Sequence, residues 1–165
     1  MPSKIYLDTS VLCALADPPA RSAYARTCQS LTRRWFRALP HTRNLCTSEI
    51  ALQAIIAGPP ELASARLTKA ESVLVLPDNK IFREKAELLI AGGGLSSNEA
   101  KLGAQIACAS QFGSSLFMTW QWQRLEAERL PHLHMMLGEA GFAQIDFVTP
   151  LQLLELNYET IQTSR

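Results

Sequence analysis

Short apolar runs alternate with longer amphipathic stretches along the whole chain. The first run, residues 4–8, contains β-branched and aromatic side chains and ends in an acid, which is typical of a buried strand. Further runs of this kind lie at 44–47, 72–76, 116–120 and 145–148. Helical spacing and Pro or Gly breaks predict helices at 11–16, 20–38, 49–57, 61–72, 81–91, 98–109, 134–140 and from Pro150 onward.

This alternation predicts an α/β fold, with a parallel sheet, right-handed crossovers and helices on both faces. Residues 5–7 are apolar on both sides of their strand, so we expect this strand near the centre of the sheet. In such folds, ligands bind beyond the carboxyl ends of the strands. Asp8 ends the first strand and is therefore the first candidate site residue, and Thr9 or Ser10 is expected to cap the next helix.

The helix predicted at 20–38 has an apolar side and a basic side. Its apolar residues recur at helical spacing: Tyr24, Cys28, Leu31, Trp35 and Ala38. Arg26, Arg33 and Arg37 follow a spacing of seven and four, which predicts a shared cationic face on the opposite side. That face suits a nucleic-acid backbone or an acidic partner, and an ordinary solvated helix face is the alternative.

Composition indicates a chain that buries a core. Of its 165 residues, 47% are hydrophobic and 19% are charged, which excludes a disordered chain and suits a single domain over residues 1–165. The net charge is only +1, yet residues 1–60 hold seven Lys and Arg against three acids. No apolar run is long enough for a membrane span, and the four scattered cysteines suit a reducing compartment, so we expect a cytoplasmic protein without membrane association.

Five segments follow one another along the chain: Asp8-Thr9-Ser10-Val11, residues 45–50, residues 102–109, residues 116–121 and Thr149-Pro150-Leu151. In this order they resemble segments of PIN domain proteins. The resemblance covers nearly the whole chain and implies a three-layer Rossmann-like PIN fold with a central parallel sheet. It also implies endoribonuclease chemistry that depends on Mg²⁺ or Mn²⁺, and kinship with bacterial toxins that pair with an antitoxin. In that chemistry, converging carboxylates hold the metal, which activates a water and stabilises charge on the phosphate.

Carried over residue by residue, the resemblance implies a degenerate metal site. Asp8 matches the first acid of the family, but Ala54 stands at the second acidic position and Leu102 at the third. Gln105 stands where the family often has His, and Gln121 where it has Asn or Asp. One carboxylate of the usual set therefore remains at its expected place.

Two hypotheses follow from this pattern. In the first, the chain is an active ribonuclease that uses Asp8 with a relocated acid such as Glu99, one helical turn before Leu102, and binds Mg²⁺ or Mn²⁺. In the second, it is a non-catalytic module that binds RNA or an antitoxin-like protein, with a weak metal site or none. Structural roles are the alternative for both acids: Asp8 can bond the amides of the helix that follows it, and Glu99 suits the first turn of its own helix.

The residues after the fourth predicted strand offer a further binding candidate. Gln121 and Arg124 stand beside two tryptophans, Trp120 and Trp122, and such a group can stack bases and hold phosphates. Burial of Trp120 in the core is the alternative. The two neighbouring histidines at 132 and 134 lack metal-ligand spacing and are expected in a loop. A homodimer remains open.

Overall fold

The computed structural model describes residues 4–38, 44–121 and 129–163. The strands are β1 (Lys4–Leu7), β2 (Leu45–Ser48), β3 (Leu74–Leu76), β4 (Ser114–Met118) and β5 (Asp146–Val148). The helices are α1 (Thr9–Ala16), α2 (Ala23–Ala38), α3 (Glu49–Ile56), α4 (Pro60–Ala70), α5 (Lys80–Ala91), α6 (Ala100–Gln111), α7 (Arg129–Glu139) and α8 (Pro150–Thr163). A 3₁₀ turn, Ser97–Glu99, precedes α6. In these parts of the chain, no helix combines the length and the hydropathy that crossing a membrane requires.

The five strands form one parallel sheet in the order β3-β2-β1-β4-β5. β1 lies in the middle, paired with β2 on one side and β4 on the other. Helices flank the sheet and complete a three-layer, Rossmann-like arrangement. The predicted α/β class, the parallel sheet and the central position of the first strand are confirmed.

Adjacent residues of β1 explain why this strand is central. Tyr6 packs into a core cluster with Phe117 of β4, whereas Leu7 packs into a second cluster with Val11 and Trp35. Successive side chains of a strand point to opposite faces, so each residue serves a different layer. Both side chains are fully buried. The apolar run at 5–7 thus contributes side chains to both core clusters, one on each face of the sheet.

The buried face of α2 differs from the predicted one. Its buried residues are Cys28, Gln29, Thr32 and Trp35. Tyr24 and Ala38, assigned to the apolar side, are exposed. Gln29 and Thr32 tolerate burial because their side chains bond to main-chain groups: Gln29 Nε2 donates to the carbonyl of Pro18 at 2.9 Å, and Thr32 Oγ1 to that of Cys28 at 2.6 Å. The spacing of apolar residues cannot predict the burial of polar residues whose hydrogen bonds are made within the fold.

The helix predicted at 134–140 begins earlier, at Arg129, so the expectation of a loop around the two histidines is wrong. Both lie within α7, and Pro131 occupies its first turn, where a missing N–H breaks no intrahelical hydrogen bond. The rings of His132 and His134 each contact a main-chain carbonyl oxygen outside their own helix. These histidines therefore hold α7 against its neighbours.

Candidate functional site at the carboxyl end of the central strand

Asp8 lies immediately after β1, at its carboxyl end, and is only 1% exposed. It is also the N-cap of α1, in place of the expected Thr9 or Ser10. Its Oδ1 accepts hydrogen bonds from the main-chain N of Val11 at 3.0 Å and from Ser10 Oγ at 2.6 Å. Its Oδ2 accepts one from Thr119 Oγ1 at 2.6 Å. The carboxylate therefore joins the start of α1 to the residue that follows β4.

The two hydroxyl groups that bond Asp8 each receive a hydrogen bond in turn. Ser10 Oγ accepts from the main-chain N of Trp120 at 3.0 Å, and Thr119 Oγ1 accepts from the main-chain N of Gln121 at 2.9 Å. Each hydroxyl thus connects the carboxylate to the chain that leaves β4. Gln121, a predicted site residue, reaches Asp8 through its main chain and the hydroxyl of Thr119.

A second set of polar side chains lies beside the first. The hydroxyl of Tyr6 is 2.5 Å from Ser48 Oγ and donates to Gln105 Oε1 at 3.4 Å. The Nε2 of Gln105 donates to Thr9 Oγ1 at 3.2 Å. These bonds connect β1, the end of β2, α6 and α1 below the surface. We call the residues of both sets the polar cluster: Tyr6, Asp8, Thr9, Ser10, Ser48, Gln105 and Thr119.

Burial governs protonation in the polar cluster. Loss of solvent raises the pKa of Asp8 above its ordinary value, against the opposing effect of hydrogen bonds from Ser10, Thr119 and Val11. Burial likewise raises the pKa of Tyr6 well above its usual value, although the bond to Ser48 opposes it. Tyr6 therefore stays a neutral phenol at ordinary pH.

Glu99 makes the local contacts of a helix cap. Its Oε2 accepts from the main-chain N of Ser96 at 2.7 Å, within a capping box, and from Arg129 Nη2 at 2.8 Å. Burial alone raises the pKa of Glu99, but hydrogen bonds from Arg129 and Ser96 bring it below its ordinary value. These contacts match the structural role weighed for Glu99 in the sequence.

Apolar residues occupy the two positions at which the resemblance implies the second and third acids, and both lie in apolar surroundings. Leu102 is buried in the core, and Ala54 is half-buried on α3. Within residues 4–38, 44–121 and 129–163, no three His, Cys, Asp or Glu side chains come together in a way that could hold a metal ion. With the carboxylate of Asp8 bonded by three donors, these residues do not fit a divalent cation.

The arginines of α2 do not form one free face. Arg26 is exposed and its Nη1 donates to the carbonyls of Ala20 and Arg21. Arg33 is half-buried, and its guanidinium donates to the carbonyls of Leu15 and Asp17 at the end of α1. The prediction that Arg26, Arg33 and Arg37 share one exposed face is therefore wrong for Arg33. Its cation binds the carboxyl end of α1, where the helix dipole is negative.

Arg34 and Arg37, three residues apart on α2, are both exposed. Arg124 and Trp122 lie outside the described residues. Trp120 is half-buried, and its indole Nε1 donates to Thr32 Oγ1 at 2.7 Å, so its polar atom binds α2. The part of the 120–124 segment that the structure describes therefore packs on the fold.

A groove of about 470 Å³ lies between α3, α5 and α6, next to the polar cluster. Its apolar lining consists of Ile50, Ala54, Ala57, Ala86, Ala100 and Ala104, and its polar lining of Gln53, Arg83, Glu87 and Lys101. α5 and α6 come very close beneath it: a Cβ added to Gly103 would lie 2.9 Å from the Cβ of Ala86. Nothing in the sequence pattern pointed to this groove.

No known protein-family model matches this chain, and a comparison with curated proteins finds no match either.

Proposed function

We propose that the chain is a PIN-like domain related to Mg²⁺-dependent endoribonucleases that acts by binding and not by cutting. The observation that carries this proposal is the state of Asp8. The one acid that matches the PIN pattern has both carboxylate oxygens bonded to donors of its own fold. Ala54 and Leu102 supply no oxygen ligand at the other two acidic positions.

The ligand preferences of Mg²⁺ support the same proposal. Mg²⁺ demands near-octahedral oxygen coordination and gives up its waters reluctantly, so one buried carboxylate binds it poorly. Freeing Asp8 for a metal would leave the donors of Ser10, Thr119 and Val11 without an acceptor, which costs about 1–3 kcal/mol for each buried group. In this chain the carboxylate of Asp8 therefore stabilises the fold more as a hydrogen-bond acceptor than it could as a metal ligand.

Binding to single-stranded RNA is the role that the exposed part of α2 favours. Arg26, Arg34 and Arg37 are exposed along one helix within the basic first third of the chain. Cations in this arrangement neutralise backbone phosphates without reading bases, which gives salt-dependent affinity.

The decisive experiment for the absence of cutting titrates Mn²⁺ into the protein in a calorimeter and assays cleavage of single-stranded RNA with Mg²⁺ or Mn²⁺. We expect no saturable site and no cleavage. A tight site that Asp8→Asn abolishes would overturn the proposal. If Glu99→Gln abolished that site as well, the active-ribonuclease hypothesis with a relocated acid would replace it.

The RNA role is tested by fluorescence anisotropy at several salt concentrations. Arg26→Gln/Arg37→Gln should reduce the slope of log affinity against log salt by about 1.4, as expected for two lost contacts to a single strand. Lys80→Gln/Lys85→Gln removes the same charge from α5 on the other face of the sheet and should leave the slope unchanged. No binding at low salt, or equal slopes for both variants, would contradict RNA binding.

A further inference from the structure

The groove between α3, α5 and α6 has the dimensions of a small-molecule site. Its volume of about 470 Å³ lies within the range of about 300–1,000 Å³ that is typical of ligand pockets. Six of its ten lining residues are aliphatic, and five of those are alanines. Neighbouring lining positions on each helix lie one or three residues apart, so each helix presents one face to the groove. The floor is therefore apolar and built from short side chains, and it suits the apolar body of a small ligand.

Two of the polar residues that line the groove are already bonded within the fold. Arg83 Nη2 donates to Asp78 Oδ2 at 2.6 Å and to Gln53 Oε1 at 3.2 Å. Gln53 Nε2 in turn donates to Asp78 Oδ2 at 3.4 Å. This network closes one wall of the groove, and the charge of its guanidinium is balanced by the carboxylate of Asp78.

Two opposite charges remain at the rim. Glu87 on α5 and Lys101 on α6 are both exposed, and neither forms a salt bridge with the other or with any further residue that the structure describes. A ligand that carries only an anion is attracted by Lys101 but repelled by Glu87, and a ligand that carries only a cation meets the reverse. A ligand with one ammonium and one carboxylate group complements both residues.

We propose that this groove binds a small zwitterion with an apolar body, of which a free α-amino acid with a large apolar side chain is the simplest class. The ammonium group of the ligand faces Glu87 and its carboxylate faces Lys101, while the side chain covers the alanines of the floor. This inference goes beyond the proposed RNA role and uses none of the arginines of α2. One anion beside one cation gives the rim no net attraction for a polyanion.

The affinity expected of such a site is modest. Both charges lie in water, where an exposed ion pair changes affinity by about 2- to 5-fold. Apolar contact with the floor supplies most of the binding, and the charges select among ligands of the same shape. We therefore expect a dissociation constant of about 1 mM.

The experiment titrates the full chain with L-phenylalanine and follows the chemical shifts of its backbone amides by NMR. Two analogues of the same shape each lack one charge: 3-phenylpropionate has no ammonium group, and 2-phenylethylamine has no carboxylate. We expect saturable shifts on α3, α5 and α6, and L-phenylalanine should bind about 2- to 5-fold more tightly than either analogue. Equal affinity for the three compounds would overturn the proposal.

Substitutions at the rim assign each charge of the ligand to its partner. Glu87→Gln should weaken L-phenylalanine about 2- to 5-fold but should not weaken 3-phenylpropionate, which has no ammonium group to lose. Lys101→Gln should weaken L-phenylalanine and 3-phenylpropionate but not 2-phenylethylamine. Glu84→Gln is the matched control, because it removes the same charge from α5 outside the groove lining and should leave all three affinities unchanged. Losses that do not follow the charges of the ligand would contradict the proposed orientation.

Blocking the groove tests the apolar part of the site. Ala57→Trp fills the exposed end of the groove and should abolish saturable binding, with thermal unfolding as the check that the variant folds. No saturable shift with wild-type protein up to the solubility limit of L-phenylalanine would overturn the proposal. Shifts at the groove that appear with single-stranded RNA, or with rising protein concentration, in place of the amino acid would assign the groove to RNA or to a second copy and would also overturn it.

Discussion

The polar cluster and the groove lie side by side and use neighbouring residues in opposite ways. On α6, Gln105 bonds to Tyr6 and Thr9 within the cluster, while Ala104 lines the groove. At the start of α3, Ser48 caps the helix beside Tyr6, while Ile50 faces the groove. The cluster is buried and polar, whereas the groove is open and largely apolar.

The cluster and the groove differ in how many of their polar groups remain available to a ligand. In the cluster, the carboxylate of Asp8 is engaged by three donors, and two of those donors accept further hydrogen bonds. Such groups hold β1, α1 and the end of β4 together and leave little to offer a ligand. In the groove, the exposed charges of Glu87 and Lys101 still lack a salt-bridge partner among the described residues. The cluster therefore stabilises the fold, whereas the groove keeps two exposed charged side chains at its rim.

The largest expected effect comes from removing the acceptor of the cluster. Asp8→Ala should lower the free energy of unfolding by about 3 kcal/mol, because it deletes an N-cap and leaves three buried donors without a partner. Glu87→Ala at the groove rim should change the stability of the monomer by less than about 0.5 kcal/mol. Urea denaturation of both variants makes the comparison direct. Equal losses for the two variants would remove the distinction between the regions.

A smaller loss is expected from the hydroxyl groups. Thr119→Val keeps the shape of the side chain but removes the donor to Asp8 Oδ2 and the acceptor of the Gln121 amide, which should cost about 2 kcal/mol in urea denaturation. Thr119→Ser retains the hydroxyl and should recover most of that loss. A Thr119→Val protein as stable as the wild type would show that the carboxylate does not need this contact.

A loss of about 1 kcal/mol is expected from Arg33→Gln, since its guanidinium bonds the last carbonyls of α1. Arg37→Gln is the matched control, because Arg37 is exposed on the same helix, and it should be nearly neutral. Thermal and urea unfolding of both variants would separate the arginine that stabilises the fold from the one left for a partner. Equal stabilities of the two variants would contradict this difference and would favour a single cationic face that contains both arginines.

Local and long-range features of the sequence differ in what they reveal. The position of Asp8 was predictable, since an apolar run followed by an acid marks the end of a buried parallel strand. The capping contacts of Glu99 were also predictable as one of the alternatives, because capping depends on residues close in sequence. The contact between Thr119 and Asp8 spans 111 residues and leaves no local signal. The groove was missed because alanines at helical spacing indicate a helix but not an empty space beside it.

The smallest effect expected is a change of stability with pH, and its sign follows from the raised pKa of Asp8. The native protein holds this proton at pH values where the unfolded chain, with an ordinary pKa near 3.8, has lost it. Asp8 therefore stabilises the fold most below that ordinary value, and this contribution is lost as the pH rises through the pKa of the native state. The free energy of unfolding of the wild type minus that of Asp8→Asn should fall with rising pH and then level off.

Glu99 provides a matched carboxylate of opposite sign. Its pKa is lowered in the native state, since the bonds from Arg129 and Ser96 outweigh the effect of burial. Its contribution is present above the ordinary value of 4.5 and disappears as the pH falls through the native pKa, so the difference between the wild type and Glu99→Gln should rise with pH. Chemical denaturation at a series of pH values measures both differences. If the Asp8 difference also rose with pH, the three donors would outweigh burial, and the carboxylate would be held as a stable anion within the cluster.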